Sequence, residues 1–367
     1  MRRLLVFHRT IAPYRIDFFN DLSRAFETRI CLQYRNLLSQ KFDYKKIADC
    51  FMFVPVYLKK LGQIRGRVFS WGYWSQLDKF RPDIVLVSEF GLDCLLVLLH
   101  RFFKKRNYHV VSVCDDSYNM VVENNDFSYT HRLMRRLIAP WLDELILVEP
   151  QVTEWYRQNY GKGLFFPIIK KDDTARMDYT RLLSKARETA KMYQLLGRKV
   201  VLFVGRLVAL KNVSTLIKAC AYNHNDASLV IVGDGPERVL LEALAKEEGV
   251  TVLFTGRLEG DELLQWYDIA SVFCLPSYQE AFGAVTNEAL LAGCMGLISS
   301  KAGSQCLILE GKNGYTFAPF DTEDLALKLK LSLNRCTPPT FEALRPSQMH
   351  ILYEDKMKEL VRHLYTL

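Results

Sequence analysis

Short runs of consecutive apolar residues alternate along this chain with longer segments whose apolar positions recur at helical spacing. In the first half the short runs fall at 4–7, 30–32, 84–87, 110–113 (broken once, by Ser112) and 145–148. Apolar runs of this length predict strands covered on both faces. Between them, 14–26, 92–105, 131–141 and 153–160 predict helices; in the first, Ile16, Phe18, Phe19 and Leu22 share one face. The second half repeats the alternation, with strands at 200–204, 229–232, 252–254, 272–275 and 296–298. Its helices are predicted at 213–222, 237–247, 261–266, 285–292 and 322–333, the last opened by Asp321 as a cap with an acidic first turn. Repeated strand–helix units predict an α/β chain with parallel sheets covered by helices on both faces.

A chain of 367 residues has the length of two domains. The join at 168–198 is polar at first, with Lys170-Lys-Asp-Asp-Thr. It then becomes a helical run through Leu182, Leu183, Ala186, Ala190, Tyr193 and Leu196. It lacks the Gly/Ser composition of a flexible linker, so an ordered connection is expected. Another amphipathic helix is predicted at 347–365, after Cys336-Thr-Pro-Pro-Thr. Two doubly wound domains should face a central cleft between the carboxyl ends of their sheets, and chemistry is expected in the loops that leave the strands.

With 25% charged and 49% hydrophobic residues, the composition excludes disorder, collagen and coiled coil. The opening Met1-Arg-Arg-Leu-Leu-Val-Phe-His-Arg is too short for a secretory signal core, and the apolar stretch 95–99 is far too short to span a bilayer. Nine cysteines without a C-x-x-C argue against a disulfide framework or a zinc site and fit a reducing cytoplasm. The net charge of +8 is one-sided: residues 1–170 hold 26 Lys and Arg against 17 Asp and Glu, and the remainder 23 against 24. A basic half attracts nucleic acid, anionic lipid or phosphorylated substrates.

Three loops of the second half carry candidate chemistry. In Val204-Gly-Arg-Leu-Val-Ala-Leu-Lys, Gly205 permits a tight exit from a strand, and Arg206 and Lys211 flank a helix start. Two cations there suit a diphosphate, although two solvated charges on a βα loop would look the same. Gly233-Asp-Gly235-Pro has no third glycine and does not follow the first strand, so it reads as a tight turn rather than a dinucleotide fingerprint. The third loop, 276–293, contains Glu280, Phe282, Gly283, Ala284 and Glu288. Gly283 leaves backbone N–H groups accessible, and the two carboxylates could accept from hydroxyl-rich parts of one ligand. The alternative is a capped helix with a buried Glu.

Residues 199–333 resemble the nucleotide-sugar domain of glycosyltransferase family 4, a retaining family of GT-B architecture. The resemblance rests on an ordered series: Gly205-Arg206 with Lys211, Gly233-Asp-Gly235-Pro, Phe254-Thr-Gly256-Arg257, Leu275-Pro-Ser, the E-x7-E pair Glu280 and Glu288, and Gly311-Lys-Asn-Gly314. It implies a GT-B-type fold with donor-binding residues 171–346. An acceptor-binding domain of residues 1–170 would be completed by a C-terminal helix in 347–367. It implies that Arg206 and Lys211 hold the donor diphosphate and that Glu280 contacts the transferred sugar beside the amides at Phe282, Gly283 and Ala284. Glu288 would contact the ribose, with Arg257 and Leu258 near the base and Gly235 in the donor loop. The first half resembles the family more loosely. Pro13-Tyr14-Arg15 matches a family loop after the first strand, while Cys114 stands where many members carry a His. Asp115, Asp116 and Glu89 are therefore candidates for the contact which that His would make.

The implied activity is transfer of a hexose-type sugar from a nucleotide diphosphate, with UDP expected, to a glycan or polyisoprenyl-diphosphate-linked acceptor, with retention. The setting would be capsule, O-antigen or other cell-surface polysaccharide synthesis. Cations rather than a metal would stabilise the leaving group, so no cofactor or metal is expected. An anionic membrane surface is a candidate partner, through Phe69-Ser-Trp71-Gly-Tyr73-Trp74 and His100-Arg-Phe-Phe-Lys-Lys-Arg106. That makes a cytoplasmic protein, peripheral on the inner membrane face, the expected localisation. A non-catalytic nucleotide-sugar binder and a nucleotide-sugar epimerase are the competing readings. A nucleic-acid binder would leave the Glu280–Glu288 loop unexplained.

Overall fold

A computed structural model describes residues 1–35, 44–64, 67–123, 129–223 and 227–367. The chain divides into two units, Met1–Ile168 with Glu354–Leu367, and Ile169–Tyr353. The first unit contains strands β1 (Arg3–His8), β2 (Glu27–Leu32), β3 (Val56–Tyr57), β4 (Lys59–Ile64), β5 (Arg67–Trp71), β6 (Ile84–Ser88), β7 (His109–Cys114), β8 (Glu144–Leu147) and β9 (Leu164–Phe165). Its helices include α1 (Ile16–Ala25), α2 (Tyr44–Asp49), α3 (Tyr73–Phe80), α4 (Leu92–Phe103), α5 (Tyr129–Ile138) and α6 (Pro150–Tyr160). Seven strands form a parallel sheet in the order β3-β2-β1-β6-β7-β8-β9. The apolar runs are buried as their pattern requires: every residue of β6 is buried, and Leu4, Leu5 and Val6 of β1 are fully covered.

The second unit opens with the long helix α7 (Asp172–Met192), which occupies most of the polar join. Strands β10 (Val200–Val204), β11 (Ser228–Val232), β12 (Val252–Gly256), β13 (Val272–Leu275), β14 (Met295–Ser299) and β15 (Gly314–Phe317) form a parallel sheet ordered β12-β11-β10-β13-β14-β15. Helices α8 (Val213–Tyr222), α9 (Arg238–Glu247), α10 (Asp261–Ile269), α11 (Val285–Leu291) and α12 (Thr322–Arg335) cover it. The Asp321 carboxylate accepts from the Asp324 N–H at 3.0 Å and caps α12 as the sequence predicts. In each sheet the chain winds outward from one strand, returns, and winds the other way. The return points lie between β1 and β6 and between β10 and β13, where the departing loops diverge and leave room for a ligand.

Several elements depart from the sequence reading, among them the short α2, α3, β3 and β9, which it did not predict. The antiparallel pair β4–β5 was not expected, because its residues show neither an unbroken apolar run nor regular alternation. Strand β15 was missed because it is a short edge strand with Tyr315 and Thr316 only half-buried. The last helix, α13 (Tyr353–Thr366), begins later than 347. Before it, the Gln348 N–H donates to the Leu290 carbonyl at 2.8 Å, and Arg345 donates to the carbonyls of Ala270 and Tyr267 at 2.6 and 2.9 Å. Those bonds hold the segment extended along the second unit. Helix α13 itself packs on the first unit: Arg2 donates to the Leu364 carbonyl at 2.9 Å, Tyr365 stacks on Phe26, and His363 meets Glu144 at 2.6 Å. All nine cysteines are free thiols, and no helix among the described residues is long and apolar enough to cross a membrane.

Candidate functional site

In the second unit the chain leaves β10 through Gly205 and Arg206 and makes one 3-10 turn, Ala209–Lys211, before α8. Asn212 follows in the left-handed region at φ 52°, a conformation that Asn tolerates better than most residues. Its amide donates to the carbonyls of Pro276 and Pro319 at 3.1 and 2.8 Å, and the Tyr278 N–H donates to the Leu210 carbonyl at 2.9 Å. The loops after β10 and β13 are thereby tied together across the return point of the sheet.

Glu280 lies in the second of these loops. Its N–H donates to the Lys301 carbonyl, and its own carbonyl accepts from Gly303. This backbone lock brings the Glu280 carboxylate into direct contact with the Lys211 ammonium; the two side chains are 20% and 18% exposed. Arg206 is exposed and forms no ion pair among the described residues. Gly283 turns the chain into α11 at φ +93°, where a Cβ would stand 2.6 Å from a methyl of Leu275. Among the described residues, the N–H groups of Phe282, Gly283 and Ala284 donate to no protein atom. A cation pair and several undirected N–H groups at one sheet return point form a site complementary to an anion.

Glu288 sits one turn into α11 and has partners of its own. Lys170 approaches one oxygen at 2.6 Å, and the Tyr267 hydroxyl donates to the other at 2.9 Å. Burial pushes the Tyr267 hydroxyl pKa well up, so it stays a donor. The Tyr179 hydroxyl donates to the Glu288 carbonyl, and the Lys170 N–H to the Asn287 side chain. The sequence reading had both carboxylates grip one ligand; here each is already engaged by a lysine of the chain. Lys170 was not nominated, because in sequence it belongs to a polar join with no motif around it. The Gly235 turn packs against the β10 loop, with Leu207 donating to the Asp234 carbonyl and Glu237 to the Leu207 carbonyl, both at 3.0 Å. Arg257 and Leu258 follow the edge strand β12, and Arg257 is paired with Glu259.

In the first unit, the loops leaving β1 and β6 bound a cavity of about 320 Å³. Glu89 lines it from the left-handed region at φ 56°, and its carboxylate accepts from Arg9 at 2.8 Å. Left-handed backbone at a residue other than Gly, Asn or Asp is strained and concentrates at ligand sites. Asp93, in the first turn of α4, also lines the cavity; burial pushes its carboxyl up to about 6, and its Oδ2 is buried without a partner. Arg9 and Asp93 were not nominated, since neither lies in a recognisable motif.

The other nominated residues of this unit lie in the loops after β1 and β7. Pro13, Tyr14 and Arg15 form a 3-10 turn. Arg15 is buried, lies over the Phe18 ring and contacts the Asp115 carboxylate, which pins the loop after β1 to the loop after β7. Asp116, the next residue, has a different partner. It is buried and accepts from the Tyr156 hydroxyl at 2.8 Å, and burial pushes its carboxyl up to about 7. Cys114 is fully buried in the core beside Ser112, so it does not take up the surface role of a histidine. Among the described residues no three His, Cys, Asp or Glu side chains cluster as metal ligands would.

Residues 186–336 match the family described as "Glycosyl transferases group 1". The sulfoquinovosyl transferase SQD2 of Arabidopsis thaliana is 36% identical over 141 residues, 37% of this chain and 27% of that protein. A GDP-mannose-dependent alpha-mannosyltransferase of Corynebacterium glutamicum is 38% identical over 259 residues, 65% of this chain and 56% of that protein. The chain thus spans less than two thirds of the length of these curated relatives. Among solved structures, Anabaena HepE in complex with UDP superposes over the full length of both chains with a TM-score of 0.71 at 16% identity. That likeness speaks for the fold, and the sequence match speaks for the second unit. The chain has the GT-B fold, and its residues 186–336 match the glycosyl transferases group 1 family.

Proposed function

We propose that this protein transfers a hexose-type sugar from a nucleotide diphosphate donor to a glycan or polyisoprenyl-diphosphate-linked acceptor, with retention of configuration. Cell-surface polysaccharide synthesis, of the capsule or O-antigen kind, is the setting. The observation that carries the reading is the return point of the second sheet. There Lys211 is fixed by Glu280, and among the described residues Arg206 forms no ion pair and the N–H groups of Phe282, Gly283 and Ala284 are undirected.

The bond to be broken joins an anomeric carbon to a diphosphate oxygen. Negative charge grows on that oxygen as the bond lengthens. Arg206 and Lys211 meet the diphosphate, and cations held in position before the reaction stabilise the growing charge without reorganising. Glu280 serves twice: it orients the Lys211 ammonium, and its second oxygen is open to a hydroxyl of the sugar. Glu288, braced by Lys170 and Tyr267, keeps a carboxylate available for the ribose diol. The cavity of the first unit takes the acceptor sugar, whose hydroxyls would donate to Glu89 and to the unpartnered Asp93 oxygen. The nucleotide is UDP in this reading, the one bound in the HepE structure, whereas GDP is named for the Corynebacterium relative. A thermal-shift panel of UDP, GDP and ADP identifies the base: at 100-fold excess over Kd the matching nucleotide stabilises by about 2.7 kcal/mol. The decisive test is Lys211→Ala at saturating donor. Turnover should fall ~100-fold or more, as on losing one preorganised donor to a developing oxyanion. Unchanged turnover would remove Lys211 from the mechanism.

A further inference from the structure

The cavity of the first unit is built around a carboxylate that nothing neutralises. Glu89 is held on its wall by β7: its N–H donates to the Val113 carbonyl at 2.9 Å, and its own carbonyl accepts from the Ser112 hydroxyl at 2.7 Å. Those two bonds sustain the left-handed backbone of Glu89. Arg9 neutralises the Glu89 side chain, with a guanidinium nitrogen 2.8 Å from one carboxylate oxygen. Asp93 lines the same cavity and is 6% exposed. Its Oδ1 folds back over the start of α4, so close to Gly91 that a Cβ there would lie 2.4 Å away. Its Oδ2 is buried and accepts from no protein group among the described residues. Burial raises this carboxyl to about 6, Arg9 pulls it only part of the way back, and the negative charge of Glu89 adds to the rise. His131, a further basic side chain of the wall, lies edge-on to Phe90 at 6.1 Å. Arg9 cannot neutralise both carboxylates, and Asp93 keeps an oxygen without a donor.

We propose that this cavity selects an amino sugar, holding the free ammonium of the acceptor between Asp93 and Glu89. The proposal rests on the reading of the cavity as the acceptor site and names the acceptor's class. A hydroxyl can donate to either carboxylate, but it brings no charge to a buried one; an ammonium brings donor and charge together. Its N–H groups serve the Asp93 Oδ2 and the Glu89 oxygen that Arg9 leaves open. The rest of the wall suits a sugar ring. Phe69, Tyr73 and Phe90 supply aromatic surface. The negative faces of such rings attract the C–H bonds of a pyranose, which its oxygens polarise. The sequence reading put Phe69 and Tyr73 at a membrane surface; both line the cavity instead, and Tyr73 is buried. A volume of about 320 Å³ lies at the small end of ligand sites and accommodates one ring. A hard metal cation is the poorer fit, because two carboxylates fall short of the about six oxygens it takes. No third His, Cys, Asp or Glu joins them as a ligand set among the described residues.

The test is isothermal titration of the full chain at pH 7, above the Asp93 value of about 6. The probes are methyl glucopyranoside, its derivatives aminated at C2, C3, C4 or C6, and the N-acetyl form of each. At least one amine should bind ~10-fold or more tighter than its hydroxyl and N-acetyl counterparts, the gain of a charge-assisted over a neutral hydrogen bond. Asp93→Asn keeps the side-chain shape and the capacity to cap α4, and it should bring the amine level with the hydroxyl. Should that variant fail to fold, Glu89→Gln gives a second reading: it releases Arg9 to neutralise Asp93, and the preference should again disappear. Amines that bind no tighter than the hydroxyl sugar at any position overturn the proposal, as does a preference that survives both substitutions. Nα-acetyl-lysine amide binding as tightly as the best amino sugar would also overturn it, by showing that the amine is selected without the ring. Transfer assays separate this proposal from the one it rests on. A wild type that transfers sugar to neutral glycans and ignores the amines refutes the amine selection and leaves the glycosyltransferase reading standing. Asp93-dependent binding of an amino sugar to which nothing is transferred supports the site and refutes its role as the acceptor's.

Discussion

Replacing Asp116 by Asn probes the interior of the first unit through its pH dependence. The Asp116 carboxyl is buried, and burial, aided by the nearby negative charges of Glu89 and Asp115, raises it to about 7 against the hydrogen bond from Tyr156 and the charge of Arg135. In the unfolded chain the same group ionises near 3.8. Between those two values the native state retains a proton that the unfolded state has released. The wild type is therefore most stable, as far as this group is concerned, below pH 3.8, and loses stability as pH rises toward 7. The slope is about 1.4 kcal/mol per pH unit, which integrates to about 4 kcal/mol across the window. Asn is neutral throughout and keeps an oxygen to accept from Tyr156. The variant should match the wild type near pH 4, gain steadily on it up to about pH 7, and hold its lead above that. Urea unfolding followed by tryptophan fluorescence reads the effect, because Trp71, Trp74, Trp141 and Trp155 lie in the first unit and only Trp266 in the second. A 4 kcal/mol gain moves the urea midpoint by more than ~1 M. A difference that stays flat from pH 4.5 to 8, or shrinks with pH, would refute the reasoning and show the carboxylate ionised and held by Arg135.

Gly303→Ala should act on the donor site without unfolding the chain. A Cβ there would lie 2.3 Å from the Ala281 carbonyl oxygen, so the loop that carries Glu280 has to move; transfer rates should fall at least ~10-fold, as misplacement of about 1 Å produces, while initial-rate and thermal-melt measurements show the melt little changed. Transfer should also persist in excess EDTA, with Arg206 and Lys211 bearing the leaving-group charge, and loss of activity restored by a divalent cation would overturn that expectation.

The order of strands and helices was legible because most buried strands are apolar runs with at most one polar residue, and the covering helices repeat their apolar positions at their own period. Burial on both faces leaves no polar position in β10 or β13 and only the terminal Ser88 in β6, and that is a local pattern. The motif residues Arg206, Lys211, Glu280 and Glu288 were legible for a related reason, since each sits at a strand end or first helical turn where the loops carry distinctive glycines. What the pattern could not supply is pairing at long range. The contact of Lys211 with Glu280 spans 69 positions and Arg15 with Asp115 spans 100. Lys170, Arg9 and Asp93 looked like ordinary surface charges until folding put a partner or a cavity beside them. Local periodicity settled which segments become strands and helices, since it depends on a few neighbouring residues. Which charges meet and which carboxyl is buried depend on the complete packing of the chain.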